Sequence, residues 1–342
     1  MSLARAIETG DLTQLPSRRD EDWHWTDLRG LIREMPAVSP EAFPRPGDDR
    51  WEAFADMVVG VTNGRGPTDL DVEAGEARFV VWRFLAASGA SAHTSEFWVE
   101  LGEGAELTLV ESYEGFEPDY VRQISVNFSL ADGARVERIV VCSDQASGVT
   151  VSTADVTLSP GANFAQTVIT SGARRQRIET RVVHPGGGAS ARLDGVYMLA
   201  DQRHADITTV VTHGGPHGTT DQLTKGVVRD QGRGVFQGRI VVRPGADKTD
   251  ARMGHHALVL SDRAEVDAKP ELEIFADDVA CAHGNTVGAL DEDALFYAEQ
   301  RGIPADAARA MLTDAFVGEV VDRIEHEGAR AVVRAWVAER LR

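Results

Sequence analysis

Residues 104–134 read GAELTLVESYEGFEPDYVRQISVNFSLADGA, and this stretch decides the fold. Leu107-Thr-Leu-Val110 and Ile124-Ser-Val-Asn-Phe-Ser-Leu130 are short alternating runs, the pattern of β-strands with one face turned inward. A Gly-Ala pair opens the stretch at Gly104-Ala105 and another closes it at Gly133-Ala134. The pair recurs at Gly161-Ala162, Gly188-Ala189 and Gly245-Ala246, so the glycines stand 29, 28, 27 and 57 residues apart, the last close to two periods. A repeat of this length in an all-strand region predicts a solenoid, each coil holding two or three short strands with its turn above the previous turn. Gly-Ala is a common dipeptide in a chain with 33 glycines, and periodicity alone also fits a β-sandwich; the even spacing favours the solenoid.

Similar runs at Phe79–Phe84, Val149–Ser152 and Ile240–Val242 extend the strand region from about Ala77 to Val279. The flanks read differently. Leu3, Ala6, Ile7 and Leu12 suggest a short amphipathic helix, and Trp23, Leu28, Leu31 and Ile32 suggest a second over Asp20–Glu34. Residues 36–70, rich in proline and glycine, read as a connector with one short helix near Trp51–Met57. At the other end Asp291 suits an N-cap, with Glu292 and Asp293 in the positive first turn. Gly302 ends that helix and Pro304 opens the next, whose apolar stripe is Ala308, Met311, Leu312, Ala315, Phe316, Val320 and Ile324. Gly328 is expected to separate a last short helix. The organisation is therefore mainly β: a helical region and connector over 1–70, a β core over 71–288 and a helical region over 289–342. The helices are expected to cap the solenoid ends, where strand edges lack partners.

The chain has 342 residues, enough for a sizeable core, and carries 54 acidic against 35 basic residues for a net charge of −19. Nucleic acid and anionic membrane surfaces need a basic face, so neither is an expected partner. Two cysteines are too few for a disulfide framework. No apolar run has signal-peptide character or spans a bilayer, and the expectation is a reduced, cytoplasmic protein. No Gly-x-x-x-x-Gly-Lys-Ser/Thr loop is present, so no nucleotide is expected on this chain. Gly232-Arg-Gly234-Val-Phe-Gln-Gly238 has one residue too many for a dinucleotide fingerprint, and no Gly-x-Ser-x-Gly elbow occurs. No catalytic residue stands out.

Cys281 and His283, near the end of the strand region, are the candidate metal ligands, His283 first and Cys281 secondary. If the strand continues, Val279, Cys281 and His283 project from one face, with neighbours on that face ~6–7 Å apart. A thiolate and an imidazole suit iron, zinc or copper(I). The plainer reading is a buried small cysteine beside a hydrogen-bonded histidine. His204, Asp206, His213, His217, His255 and His256 form a second, weaker set, read chiefly as surface and ladder residues.

Lys269-Pro-Glu-Leu-Glu-Ile-Phe-Ala-Asp-Asp-Val279, Cys281-Ala-His283-Gly284, Thr286–Tyr297 and Arg301-Gly-Ile303 together resemble the SufB/SufD family of the SUF iron–sulfur cluster assembly machinery. Gly284 after His283 resembles the SufD branch, since SufB has glutamate there. Asp230–Gly238, Lys248-Thr-Asp250, His204-Ala-Asp206, His213, Lys225 and Arg19–Leu28 extend the likeness, with Trp25 where tyrosine is usual. The resemblance implies a right-handed parallel β-helix flanked by helices. It implies a non-catalytic scaffold that pairs with SufB through the ends of the two β-helices and docks the ATPase SufC through its C-terminal helices. It further implies a transient iron–sulfur cluster or iron shared with SufB at the position of His283, with Cys281 beside it. Asp291, Glu292, Asp293, Phe296, Tyr297, Met311 and Phe316 are the candidate SufC contacts, although packing against the core accounts for much of that stripe. The isolated chain is compatible with a homodimer through an exposed edge. Two other classes fit a β-solenoid: a carbohydrate-active enzyme of polysaccharide-lyase type, which would be secreted, and a purely structural interaction solenoid.

Overall fold

The computed structural model describes residues 2–43 and 47–341. Among the described residues eighteen strands form two parallel nine-stranded sheets, and the chain alternates between them. One sheet holds β1 (Ala37–Val38), β3 (Asp69–Val72), β5 (Ser91–Leu101), β7 (Val121–Leu130), β9 (Val149–Leu158), β11 (Arg175–His184), β13 (His204–His213), β15 (Arg233–Val242) and β17 (Glu265–Ile274). The other holds β2 (Met57–Thr62), β4 (Ala77–Ala86), β6 (Glu106–Gly115), β8 (Arg135–Ser143), β10 (Asn163–Thr170), β12 (Ser190–Leu199), β14 (Thr219–Val228), β16 (Asp250–Val259) and β18 (Ala280–Gly288). This is a parallel β-helix with two strands per coil.

The Gly-Ala pairs do in space what their spacing predicts. Ala105, Ala134, Ala162, Ala189 and Ala246 are all fully buried, and each closes a β-turn. The preceding glycines have positive φ, 68° at Gly133 and 70° at Gly161, a conformation glycine adopts without penalty. Successive turns are tied together: Gly104 N–H donates to Asp132 O at 3.0 Å and Gly133 N–H to Pro160 O at 3.1 Å. In the 57-residue gap the missing turn is supplied by the Gly214–Gly218 loop, with His217 at φ 61°.

Between the sheets lies a core built from alternate residues, such as Phe97, Val99 and Leu101 of β5 and Leu107, Leu109 and Tyr113 of β6. The core is not uniformly apolar. The Arg138 guanidinium donates to both oxygens of Glu111 at 2.6 and 2.7 Å and to Gln166 Oε1 at 2.6 Å, with both charged side chains fully buried. Arg122 and Asp144 make a second fully buried pair at 2.5 Å.

The helices do not cap the ends; three of the four cover the outer faces. α1 (Leu3–Thr9) places Leu3, Ala6 and Ile7 on Ala92, Val121, Val149 and Val151 of the first sheet. α2 (Glu292–Gln300) has no fully buried residue; Ala294, Leu295 and Ala298 are half-buried and the rest exposed. α3 (Ala305–Val321) and α4 (Glu327–Arg340) pack Val317, Val320, Val333 and Trp336 on Val110, Ile139, Ile169 and Val196 of the second sheet. Each sheet therefore has two buried faces, and the outward residues of the central strands are apolar too.

Several local expectations differ from the structure. Residues 20–34 form a single 3-10 turn at Glu21–Trp23 followed by bends, not a helix. The connector holds a 3-10 turn at Asp49–Trp51 and then enters β2 and β3. The break between the last two helices falls at Asp322–His326. Gly328 lies inside α4, where the Phe54 ring leaves no room for a Cβ. Among the described residues no helix is long and apolar enough to cross a membrane.

The open mouth of the β-helix as candidate metal site

Among the described residues β17 pairs only with β15, and β18 only with β16, so one end of the solenoid is an unpaired coil. The strand register fixes what faces its interior. Cys281, His283, Asn285 and Val287 stand over Ala251, Met253, His255 and Ala257, the inward row of β16. The pairing of Cys281 with His283 on one face thus follows from strand periodicity. Cys281 is half-buried and packs against the small apolar cluster that includes Ala251 and Met253, and His283 is exposed. Burial pushes the Cys281 thiol up from its ordinary range, so it carries its proton at neutral pH. Among the described residues no three His, Cys, Asp or Glu side chains gather into a metal cage.

Beneath this row lies a hydrogen-bonded chain that sequence reading missed. The Tyr197 hydroxyl meets His255 Nε2 at 2.8 Å, and His255 Nδ1 meets Asn285 Oδ1 at 2.7 Å. The imidazole also stacks on Phe236, centroids 4.8 Å apart and planes 1° from parallel. Burial pushes His255 down to about 4, so the ring is neutral at pH 7. A Cβ at Gly226 or Gly234 would collide with the Tyr197 ring, and one at Gly238 would collide with Met253 Sδ. The Gly232–Gly238 run, too long for a dinucleotide loop, is the bed of this assembly: two glycines clear space and Phe236 stacks on the imidazole. The detectable signal was the coil period, which sets Asn285 one coil after His255.

The other histidines do not converge. His204 sits on the outer face of the first sheet and bonds Trp25 O at 3.1 Å. Nearby, Arg177 lies 4.4 Å over Trp23 and donates to Asp22 O at 2.6 Å and Asp206 at 2.8 Å, while Thr26 donates to Asp206. The Arg19–Leu28 motif is therefore a clasp that holds the N-terminal segment on the sheet. His213 lies against His184 inside the coil, ring centroids 4.5 Å apart and planes tilted by 30°. His256 faces outward and bonds Thr286.

On the C-terminal side Asp291 caps α2, accepting from Asp293 N at 2.9 Å and Ala294 N at 3.1 Å, with Glu292 and Asp293 in the first turn. Phe296, Tyr297 and Met311 are 62%, 60% and 57% exposed. Phe316 is half-buried, with Lys225 Nζ 4.4 Å from its ring centre; Lys225 also pairs with Glu319 of α3. Phe316 thus anchors α3 to the β-helix, while Phe296 and Tyr297 of α2 and Met311 of α3 stay exposed, the Tyr297 ring with the Arg301 guanidinium 4.8 Å over it.

Comparison with known proteins identifies the family. Residues 84–316 match the family model for the SufBD core domain of SUF-system FeS cluster assembly. The iron–sulfur cluster assembly protein SufD of Escherichia coli is 31% identical, covering 96% of this chain and 90% of that protein. A SufBD family iron–sulfur assembly protein of Mycobacterium leprae is 28% identical over 92% of this chain and 87% of its own. One from Synechocystis is 29% identical over 66% and 52%. The chain belongs to the SufBD family of the SUF iron–sulfur cluster assembly system, and within it resembles SufD.

Proposed function

We propose that this chain is a non-catalytic scaffold subunit that holds a nascent iron–sulfur cluster at a junction with SufB and docks the ATPase SufC. One observation carries the reading: Cys281 and His283 face inward at a coil whose backbone edge has no partner. An unpaired parallel edge is completed by another strand, and the coil of a second β-helix supplies two. A pair of ligands with no third nearby among the described residues needs ligands from that second chain. His283 is the first ligand and Cys281 the secondary one. In the absence of SufB the same edge admits a second copy of this chain.

A ligand set divided between subunits releases its cargo when they move apart, and imidazole binds iron less tightly than thiolate does. The exposed Phe296, Tyr297 and Met311, flanked by Asp291, Glu292 and Asp293, are the SufC contact, with Phe316 holding that surface in place. SufC handles ATP in this scheme, consistent with the missing phosphate loop here.

Co-expression with SufB and SufC tests both halves. His283→Ala is expected to leave the complex intact and stop cluster assembly on it, read by visible absorbance and iron content; assembly at the normal rate overturns the ligand role. Phe296→Asp is expected to cut SufC recovery in a pull-down at least tenfold while SufB still co-purifies. Unchanged SufC recovery moves the contact elsewhere.

A further inference from the structure

The chain Tyr197–His255–Asn285 has a fixed direction. The Tyr197 hydroxyl is fully buried, and its one hydrogen-bond partner among the described residues is His255 Nε2 at 2.8 Å. A buried phenol that accepted from His255 would leave its own proton without an acceptor, at a cost of ~1–3 kcal/mol. The phenol therefore donates to Nε2. Neutral His255 then carries its proton on Nδ1 and donates to the Asn285 carbonyl oxygen at 2.7 Å. This orients the carboxamide: its oxygen points down to His255, and its NH₂ group, with two donors, is left for the mouth. Asn285 lies on the same inward row as Cys281 and His283 and is exposed.

We propose that Asn285 is a hydrogen-bond donor to the anionic sulfur of the cluster bound at the mouth, and that Tyr197 and His255 are positioning residues that aim it. The inference rests on the cluster-holding reading above. Metal-bound sulfide and thiolate are anionic acceptors, and N–H donors to them tune cluster stability and reduction potential. The arrangement is built to hold one orientation. Phe236 stacks the imidazole flat, and Gly226 and Gly234 clear the slot in which the tyrosine ring lies. Met253, seated over Gly238, stands directly beneath His283 in the register, so the floor of the mouth is apolar except at the relay.

The decisive substitution is Asn285→Asp. Aspartate still accepts from His255, so a merely structural role survives; it has no NH₂ to offer, so a donor role is lost. In the complex with SufB and SufC, loaded with ferrous iron and sulfide, N285D and N285A are both expected to co-purify normally. Both should lose the cluster to a chelator about tenfold faster, within the range that outer-shell partners of metal sites carry, with shifted sulfur-to-iron charge-transfer bands. Y197F should show a smaller change in the same direction. In the isolated full-length chain, nitrogen NMR is expected to show His255 protonated on Nδ1. A wild-type release rate and spectrum in N285D, loss of co-purification, or an Nε2-protonated His255 each overturn the proposal. H283A separates the two levels: if it assembles clusters normally, the ligand reading itself fails and the donor role with it. If H283A is inactive while N285D behaves as wild type, only the donor role fails.

Discussion

Arg138 and His283 occupy the same column of the β-helix. The register runs from Arg138 through Gln166, Leu193, Gln222 and Met253 to His283. The backbone around the two is alike, and the surroundings are opposite. Arg138 has a coil on either side, an outer face covered by helices, and a carboxylate and an amide that take its donors. His283 has one coil below and solvent above. A repeat can hide a full charge wherever neighbouring coils supply partners, and at its last coil the same geometry presents a side chain outward. The mouth is a candidate site because the repeat ends there with its inward row uncovered.

Breaking the covered half of this comparison should give the largest effect. Arg138→Ala leaves Glu111 buried without its cation, which costs ~3–5 kcal/mol. Replacing the pair together, Glu111→Leu with Arg138→Met, is expected to recover much of that loss, because the apolar pair carries no desolvation penalty. Urea denaturation of the three variants checks this. Equal stability of R138A and wild type would mean that water reaches Glu111, and the column would then not be sealed at this coil.

How far the chain could be read without coordinates divides along the same line. The coils were legible because each turn repeats the same glycine requirement and each strand the same alternation. Cys281 and His283 were legible as an inward pair because a strand's period of two is local. The relay was not, because Tyr197, His255 and Asn285 meet only through stacking of coils, 58 and 30 residues apart. The supposed helix over 20–34 failed for a different reason. Leu28 has the spacing of a helical face, but the N–H groups of Leu28 and Arg29 donate to Pro16 O at 3.2 and 3.0 Å, and the sheet takes Asp22, Trp23 and Thr26 one by one. Tertiary clasping replaced the helix. The helices cover faces instead of ends because the central strands turn apolar residues outward as well as inward.

A second contrast sharpens the first through pH. The covered coils hold His93, His204 and His213, each pushed down from 6.5 to about 3. Burial is the main cause, with Arg122, Arg175 and His184 respectively adding repulsion. The unfolded chain takes up protons on these groups below about pH 6.5, and the folded chain does not. Stability is therefore full above that pH and falls as pH drops toward the folded values, by up to ~1.4 kcal/mol per unit for each group. Asp194, pushed up to about 7 by burial despite Arg323 and Arg192, works in the opposite sense. It stays protonated in the fold and contributes stability that is lost as pH rises from its unfolded value toward 7. Variants separate the contributions: His204→Gln should flatten the slope of the urea midpoint between about pH 6.5 and 5, and an unchanged slope would show that His204 protonates in place.

The smallest effect on stability belongs to the mouth, and there it is most informative. Val287 ends the inward row and is 50% exposed, while Ala257, its neighbour one coil below, is 3% exposed. If the last coil is an edge awaiting a partner, Val287→Lys finds solvent for its ammonium and changes the stability of the isolated chain by no more than ~0.5 kcal/mol. In the proposed junction with SufB the same ammonium is enclosed without a counter-ion, and co-purification with SufB should drop by tenfold or more. The two readouts must diverge. A lysine that destabilised the isolated chain by several kcal/mol would mean that this coil is already sealed by its own chain. One that left SufB recovery untouched would place the partner on another surface, and His283 would face solvent in the assembly as it does alone.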